Sequence, residues 1–118
     1  NFAVTLDGQR IPFVQLKTKK LFAFAGIADP ESFFSAMSGI GLQVVGQLGL
    51  GDHCSYDQSL LENIMSIAEG CDALITTEKD AVKLKESMFS IPCYQMPMAV
   101  KIGNEAVFSA EIKQRLWR

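Results

Sequence analysis

Four short apolar runs, Leu21–Ala25, Leu42–Leu48, Ala73–Ile75 and Ile91–Met96, recur along the chain with helix-forming segments between them. This alternation constrains the fold most. Parallel strands need a crossover connection, and a helix in that connection packs back onto the sheet, so short strands alternating with helices predict a mostly parallel sheet. The first run is continuously apolar and ends at Gly26, as a strand covered on both faces should. Asp29-Pro30-Glu31 then supplies an N-cap, a proline for the first helical position and an acid for the first turn. The helix it opens carries Phe33, Phe34 and Met37 and stops by Gly39.

A second helix is expected from about Asp57 to Glu69, with Leu60, Leu61, Ile64, Ile67 and Ala68 on one face and Gly70 as its stop. Ser55 with Gln58 matches a capping box for it. Asp80–Lys85 reads as a short helix, and Glu105–Trp117 as a terminal helix with Phe108, Ile112 and Leu116 at helical spacing. Ahead of these, Phe2–Leu6 and Ile11–Leu16 alternate around the turn signal Asp7-Gly8 and predict a hairpin. The expected class is α/β: a mostly parallel sheet with helices on both faces, an α/β/α sandwich, preceded by a β-hairpin.

At 118 residues the chain suits one domain, and 48% hydrophobic with 20% charged residues is a globular balance. A formal charge of -2 removes the electrostatic case for nucleic acid as a partner. No apolar run approaches the roughly 18 residues that cross a bilayer, and no signal-peptide pattern opens the chain. Membrane contact is therefore expected to be peripheral and to run mainly through sequence outside this chain. The start at Asn1 marks the chain as an expected piece of a longer one. Cys54, Cys71 and Cys93 are odd in number and widely spaced, which fits free thiols in a reducing compartment. Cys54 adjoins Asp52 and His53, but no further Cys/His pair completes a ligand set, so no metal site is expected.

Thr76-Thr77-Glu78-Lys79-Asp80 follows the third run directly and opens Ala81-Val82-Lys83-Leu84-Lys85. Hydroxyls and charges are thus placed at a strand's C-terminal tip, where open α/β sheets collect ligands. The same residues also suit an ordinary cap, with Thr76 or Thr77 accepting from free N–H groups and Glu78 and Asp80 facing the positive dipole end. Loops after parallel strands emerge on one edge, so Gly26–Asp29, Asp52–Tyr56 and Thr76–Lys79 are expected to converge. His53, the one histidine, reads either as a general base or as a satisfied loop residue, and Tyr56 as a site residue or a packing staple.

Taken in order, Leu21-Phe22-Ala23-Phe24-Ala25-Gly26-Ile27-Ala28-Asp29-Pro30-Glu31-Ser32-Phe33-Phe34, then Asp52-His53-Cys54-Ser55-Tyr56, then Thr76-Thr77-Glu78-Lys79-Asp80-Ala81-Val82-Lys83-Leu84, the chain resembles the C-terminal half of tetraacyldisaccharide 4'-kinase, the lipid A 4'-kinase of Gram-negative bacteria. The resemblance runs from about Leu21 to about Pro97. It implies that residues 1–20 form a hairpin serving as a candidate interdomain linker, and that residues 21–118 are the C-terminal α/β domain of a larger two-domain kinase. No G-x-x-x-x-G-K-[ST] run occurs here, so the phosphate loop is expected in a missing N-terminal domain of the same chain.

The reaction the resemblance implies moves the γ-phosphoryl of ATP to the 4'-hydroxyl of a tetraacyldisaccharide 1-phosphate, a lipid A precursor, at the cytoplasmic face of the inner membrane. ATP and Mg²⁺ would serve the complete enzyme, with none bound by this domain alone, and the isolated piece would be inactive. His53 aligns with the first histidine of the family's Asp-His-His-x-aromatic motif and is the implied catalytic residue; Cys54 stands where the second histidine is usual. Asp52, Tyr56, Thr76, Thr77, Glu78, Lys79 and Asp80 are the nucleotide-side or interdomain candidates. A non-catalytic α/β module that binds a ligand or partner is the alternative. A response-regulator-like receiver is disfavoured, because Thr76-Thr77 stands where its acceptor aspartate would be.

Overall fold

A computed structural model describes residues 2–52 and 54–97; His53 and the expected helix over 105–117 lie outside them. The chain runs β1 (Phe2–Thr5), β2 (Arg10–Pro12), α1 (Phe13–Leu16), β3 (Leu21–Ala25), α2 (Pro30–Gly39), β4 (Val44–Gly49), α3 (Gln58–Ile67), β5 (Ala73–Thr77), α4 (Glu78–Ala81), a 3₁₀ turn (Glu86–Met88) and β6 (Cys93–Met96). Six strands form one sheet in the order β2-β1-β6-β5-β3-β4. The pairs β4·β3, β3·β5 and β5·β6 are parallel, whereas β1 is antiparallel to both β2 and β6. The four apolar runs therefore share one sheet. The N-terminal hairpin is also part of it, through the register Val4↔Gln95 and Thr5↔Tyr94.

Alternate residues of β3 explain the layers. Leu21, Ala23 and Ala25 enter one core with Phe33, Phe34 and Met37 of α2, and with Phe13 and Leu16 of α1. Phe22 and Phe24 enter the opposite core with Leu61 and Ile64 of α3, Ala68 and Leu84. Helices thus cover both faces, as the sequence pattern predicts. Each fully buried phenylalanine contributes about 1.5–3 kcal/mol relative to leaving it exposed, so β3 is a main source of cohesion for both layers. Gly46 allows the edge strand to close on it: a Cβ there would lie 2.9 Å from Phe22 Cδ1.

Several boundaries differ from expectation. The second hairpin strand stops at Pro12, which has no N–H to continue a ladder, and Phe13 and Leu16 bury together at helical spacing instead of alternating to Leu16. The second run enters the sheet at Val44, and the fourth at Cys93 after Pro92. The cap of α3 is Asp57, whose side chain accepts from the Leu60 N–H, rather than Ser55. β5 extends two residues beyond Ile75, and α4 begins at Glu78, earlier than Asp80.

Candidate functional site

At the C-terminal ends of β3, β4 and β5, three loops meet around one carboxyl group. Asp80 is 1% exposed. Its Oδ1 accepts from the Gly26 N–H at 3.0 Å and from the Tyr56 hydroxyl at 2.8 Å. Its Oδ2 accepts from the same N–H at 3.1 Å and from the Thr77 hydroxyl at 2.6 Å. Gly26 follows β3, Tyr56 lies in the loop after β4, and Thr77 ends β5. One side chain thereby ties together the loops that follow three strands.

Local sequence makes this geometry accessible. Thr77 is the N-cap of α4: its Oγ1 accepts from the Asp80 N–H at 3.0 Å while donating to Asp80 Oδ2, so the cap and the carboxyl hold each other. Thr76 is fully buried, and its hydroxyl donates to the Phe24 carbonyl at 2.8 Å, which satisfies a polar group inside the sheet. Gly26 is required by close approach. A Cβ there would fall 2.5 Å from Cys54 Sγ and 3.0 Å from Asp80 Oδ1. Tyr56 packs edge-on against Phe24, with ring centroids 5.9 Å apart. Burial, followed by the charge of Asp80 and the hydrogen bond to it, pushes the Tyr56 phenol well above its ordinary pKa, keeping the hydroxyl a protonated donor.

The outer side of the same turn is polar and exposed. Lys79 Nζ lies 3.2 Å from Asp52 Oδ1. Lys83, one turn further on, donates to the Cys54 carbonyl at 3.0 Å. These two lysines hold the residues on either side of position 53. Leu50 N–H donates to the Ala25 carbonyl at 2.8 Å and Cys54 N–H to the Gly51 carbonyl at 3.2 Å, which completes the loop's backbone connections.

Asp52, Tyr56, Thr77, Lys79 and Asp80 are therefore brought together, while Thr76 faces the sheet and Glu78 is exposed at the start of α4. Cys54 and Lys83 join the cluster without having been singled out from sequence as site residues. For Lys83 the available signal is its i+4 spacing from Lys79 on the helix-forming segment. Among the described residues no group of three or more His, Cys, Asp or Glu could hold a metal ion. With each Asp80 oxygen already accepting two donors, this cluster does not fit a Mg²⁺ site. A cavity of about 780 Å³ lies elsewhere, between α3 and the segment Ser87–Ile91, and none of the candidate residues lines it.

The sequence matches the family Tetraacyldisaccharide-1-P 4'-kinase over residues 3–117. The chain belongs to this family. Among tetraacyldisaccharide 4'-kinases, that of Syntrophotalea carbinolica is 37% identical over 114 residues, covering 97% of this chain and 31% of the relative. That of Rickettsia felis is 38% identical over 108 residues, covering 87% and 33%. The chain thus spans about a third of the length of the curated kinases it matches. A crystal structure of LpxK from Aquifex aeolicus in complex with ATP superposes with a TM-score of 0.62 at 24% identity, covering 80% of this chain and 27% of that one. This last similarity shows a shared fold.

Proposed function

We propose that the chain is the C-terminal lobe of a kinase that transfers the γ-phosphoryl of ATP to the 4'-hydroxyl of tetraacyldisaccharide 1-phosphate. The observation that carries this reading is the convergence of all three family-like stretches on Asp80 at one sheet edge. That edge faces the lobe bearing the phosphate loop, and residues 1–20 connect the two lobes, entering the sheet beside β6. The lipid acceptor and the membrane-associating surface belong mainly to the other lobe, and the complete enzyme works at the cytoplasmic face of the inner membrane. Among the described residues, no helix is long and apolar enough to cross a membrane.

His53 is the general base in this reading. The acceptor oxygen attacks the γ-phosphorus as its proton passes to the imidazole; the bond from phosphorus to the bridging oxygen breaks and ADP leaves. Asp52, Tyr56 and the Thr76–Asp80 segment shape the edge that closes on the nucleotide, and closure excludes water from the transfer. Among the described residues no group of three or more His, Cys, Asp or Glu could hold a metal ion; in this reading Mg²⁺ and the triphosphate are held by the other lobe, and the isolated chain is inactive. His53→Ala in the complete enzyme tests the role. Loss of about 10²–10⁴-fold in kcat with an unchanged melting temperature is expected from a general base. A kcat near wild type would remove His53 from the chemistry and leave this lobe a binding module.

A further inference from the structure

We propose that Asp80 is a positioning residue: through Tyr56 it fixes the loop residues that flank position 53, rather than contacting nucleotide or metal itself, and the proposed base acts only when that loop is held. The inference rests on the reading of His53 as the base. Asp80 is 1% exposed, and both its oxygens are fully engaged by Gly26, Tyr56 and Thr77, so no ligand can reach it without dismantling the cluster. The donors come from the turn after β3, the loop after β4 and the last residue of β5, which is more than capping α4 requires; the Thr77 hydroxyl alone caps that helix. Tyr56 is the direct link, because its hydroxyl joins the far end of the Asp52–Tyr56 loop to a carboxyl anchored on β5 and α4. Cys54 Sγ and the Asp80 carboxyl both crowd the Gly26 Cα, where an added Cβ would lie 2.5 Å and 3.0 Å from them, so the loop after β4 and the carboxyl share one close contact point.

A displacement of about 1 Å in a reacting group can cost roughly 10²-fold in rate, which makes loop position visible in kinetics. The test uses the complete enzyme with Tyr56→Phe, which deletes one hydrogen bond and keeps the ring against Phe24, alongside Asp80→Asn, each made with His53 and with His53→Ala. The expected result for Tyr56→Phe is a kcat lower by about tenfold or more, an ATP KM within about twofold of wild type, and little further loss in the His53→Ala background. Asp80→Asn, if it folds, should show the same pattern more strongly.

Several results would overturn the positioning role while leaving the base intact. One is a lower melting temperature with normal kcat; another is a raised ATP KM at unchanged kcat; a third is an equal loss of kcat whether or not His53 is present. If His53→Ala alone keeps wild-type turnover, the reading of the base fails first and the positioning role falls with it.

Discussion

The two sides of the β5–α4 turn use neighbouring residues for opposite purposes. On the inside, Asp80 is buried and accepts from a backbone N–H and two hydroxyls. On the outside, Lys79 pairs with Asp52 with side chains 56% and 36% exposed. Both contacts draw the loop after β4 toward β5, yet their energies should differ severalfold. A buried polar group that loses its partners cannot turn to water for replacements, whereas an exposed ion pair can. A five-residue motif thus divides into an anchor and a rim. Charge alone does not tell which member is which.

The largest expected effect comes from removing the anchor. Asp80→Ala leaves the Gly26 N–H and the Tyr56 and Thr77 hydroxyls without their acceptor, and should cost about 3 kcal/mol or more in denaturant unfolding. A loss under 1 kcal/mol would mean that the inner and outer contacts are energetically alike. Gly26→Ala is the next test. Its new methyl meets Cys54 Sγ and the Asp80 carboxyl, with an expected cost of about 1–3 kcal/mol, and adding Cys54→Ala should recover part of it. If the single substitution is neutral, the loops are packed less closely than described.

A smaller effect separates Tyr56 from its surroundings by pH. Its folded-state pKa is raised above the ordinary value of 10.0, so the folded protein retains a proton that the unfolded chain loses. The associated stability is fully present below pH 10 and declines as the pH rises beyond it. Cys93 and Tyr94, whose pKa values are also raised, contribute in the same direction. The alkaline decline should therefore be shallower in Tyr56→Phe than in wild type, without vanishing. Identical slopes would contradict a buried, neutral Tyr56 donor. The smallest effect belongs to the rim: Lys79→Met should change stability by at most about 0.5 kcal/mol, with the difference shrinking further in high salt.

The sheet was legible because each strand announces itself locally. Leu21–Ala25 is apolar throughout, and Asp29 both precedes Pro30 and accepts from the Ser32 N–H at 3.3 Å, so the start of α2 could be read from adjacent residues. What stayed hidden depends on distant partners. Thr76 looks like the end of a strand until its hydroxyl finds the Phe24 carbonyl, 52 positions away. Asp80 looks like a first-turn acid serving the helix dipole, because its outside donors, Gly26 and Tyr56, lie 54 and 24 positions away. The capping box at Ser55 failed for a related reason. Tyr56 is drawn to Asp80, and the helix starts only after Asp57. The addition of the hairpin to β6 is likewise a pairing across 90 residues that no short pattern encodes.

Hydrogen exchange on the complete protein tests most directly whether one carboxyl ties the three loops together. In wild type, the Gly26 amide should exchange slowly because it donates to a buried acceptor. In Asp80→Asn, faster exchange is expected at Gly26 and across the loop residues 50–56, while amides of α2 and β3 away from the tip keep their wild-type rates. Unchanged rates at Gly26 and residues 50–56, or a uniform acceleration throughout the domain, would contradict Asp80 as the local anchor.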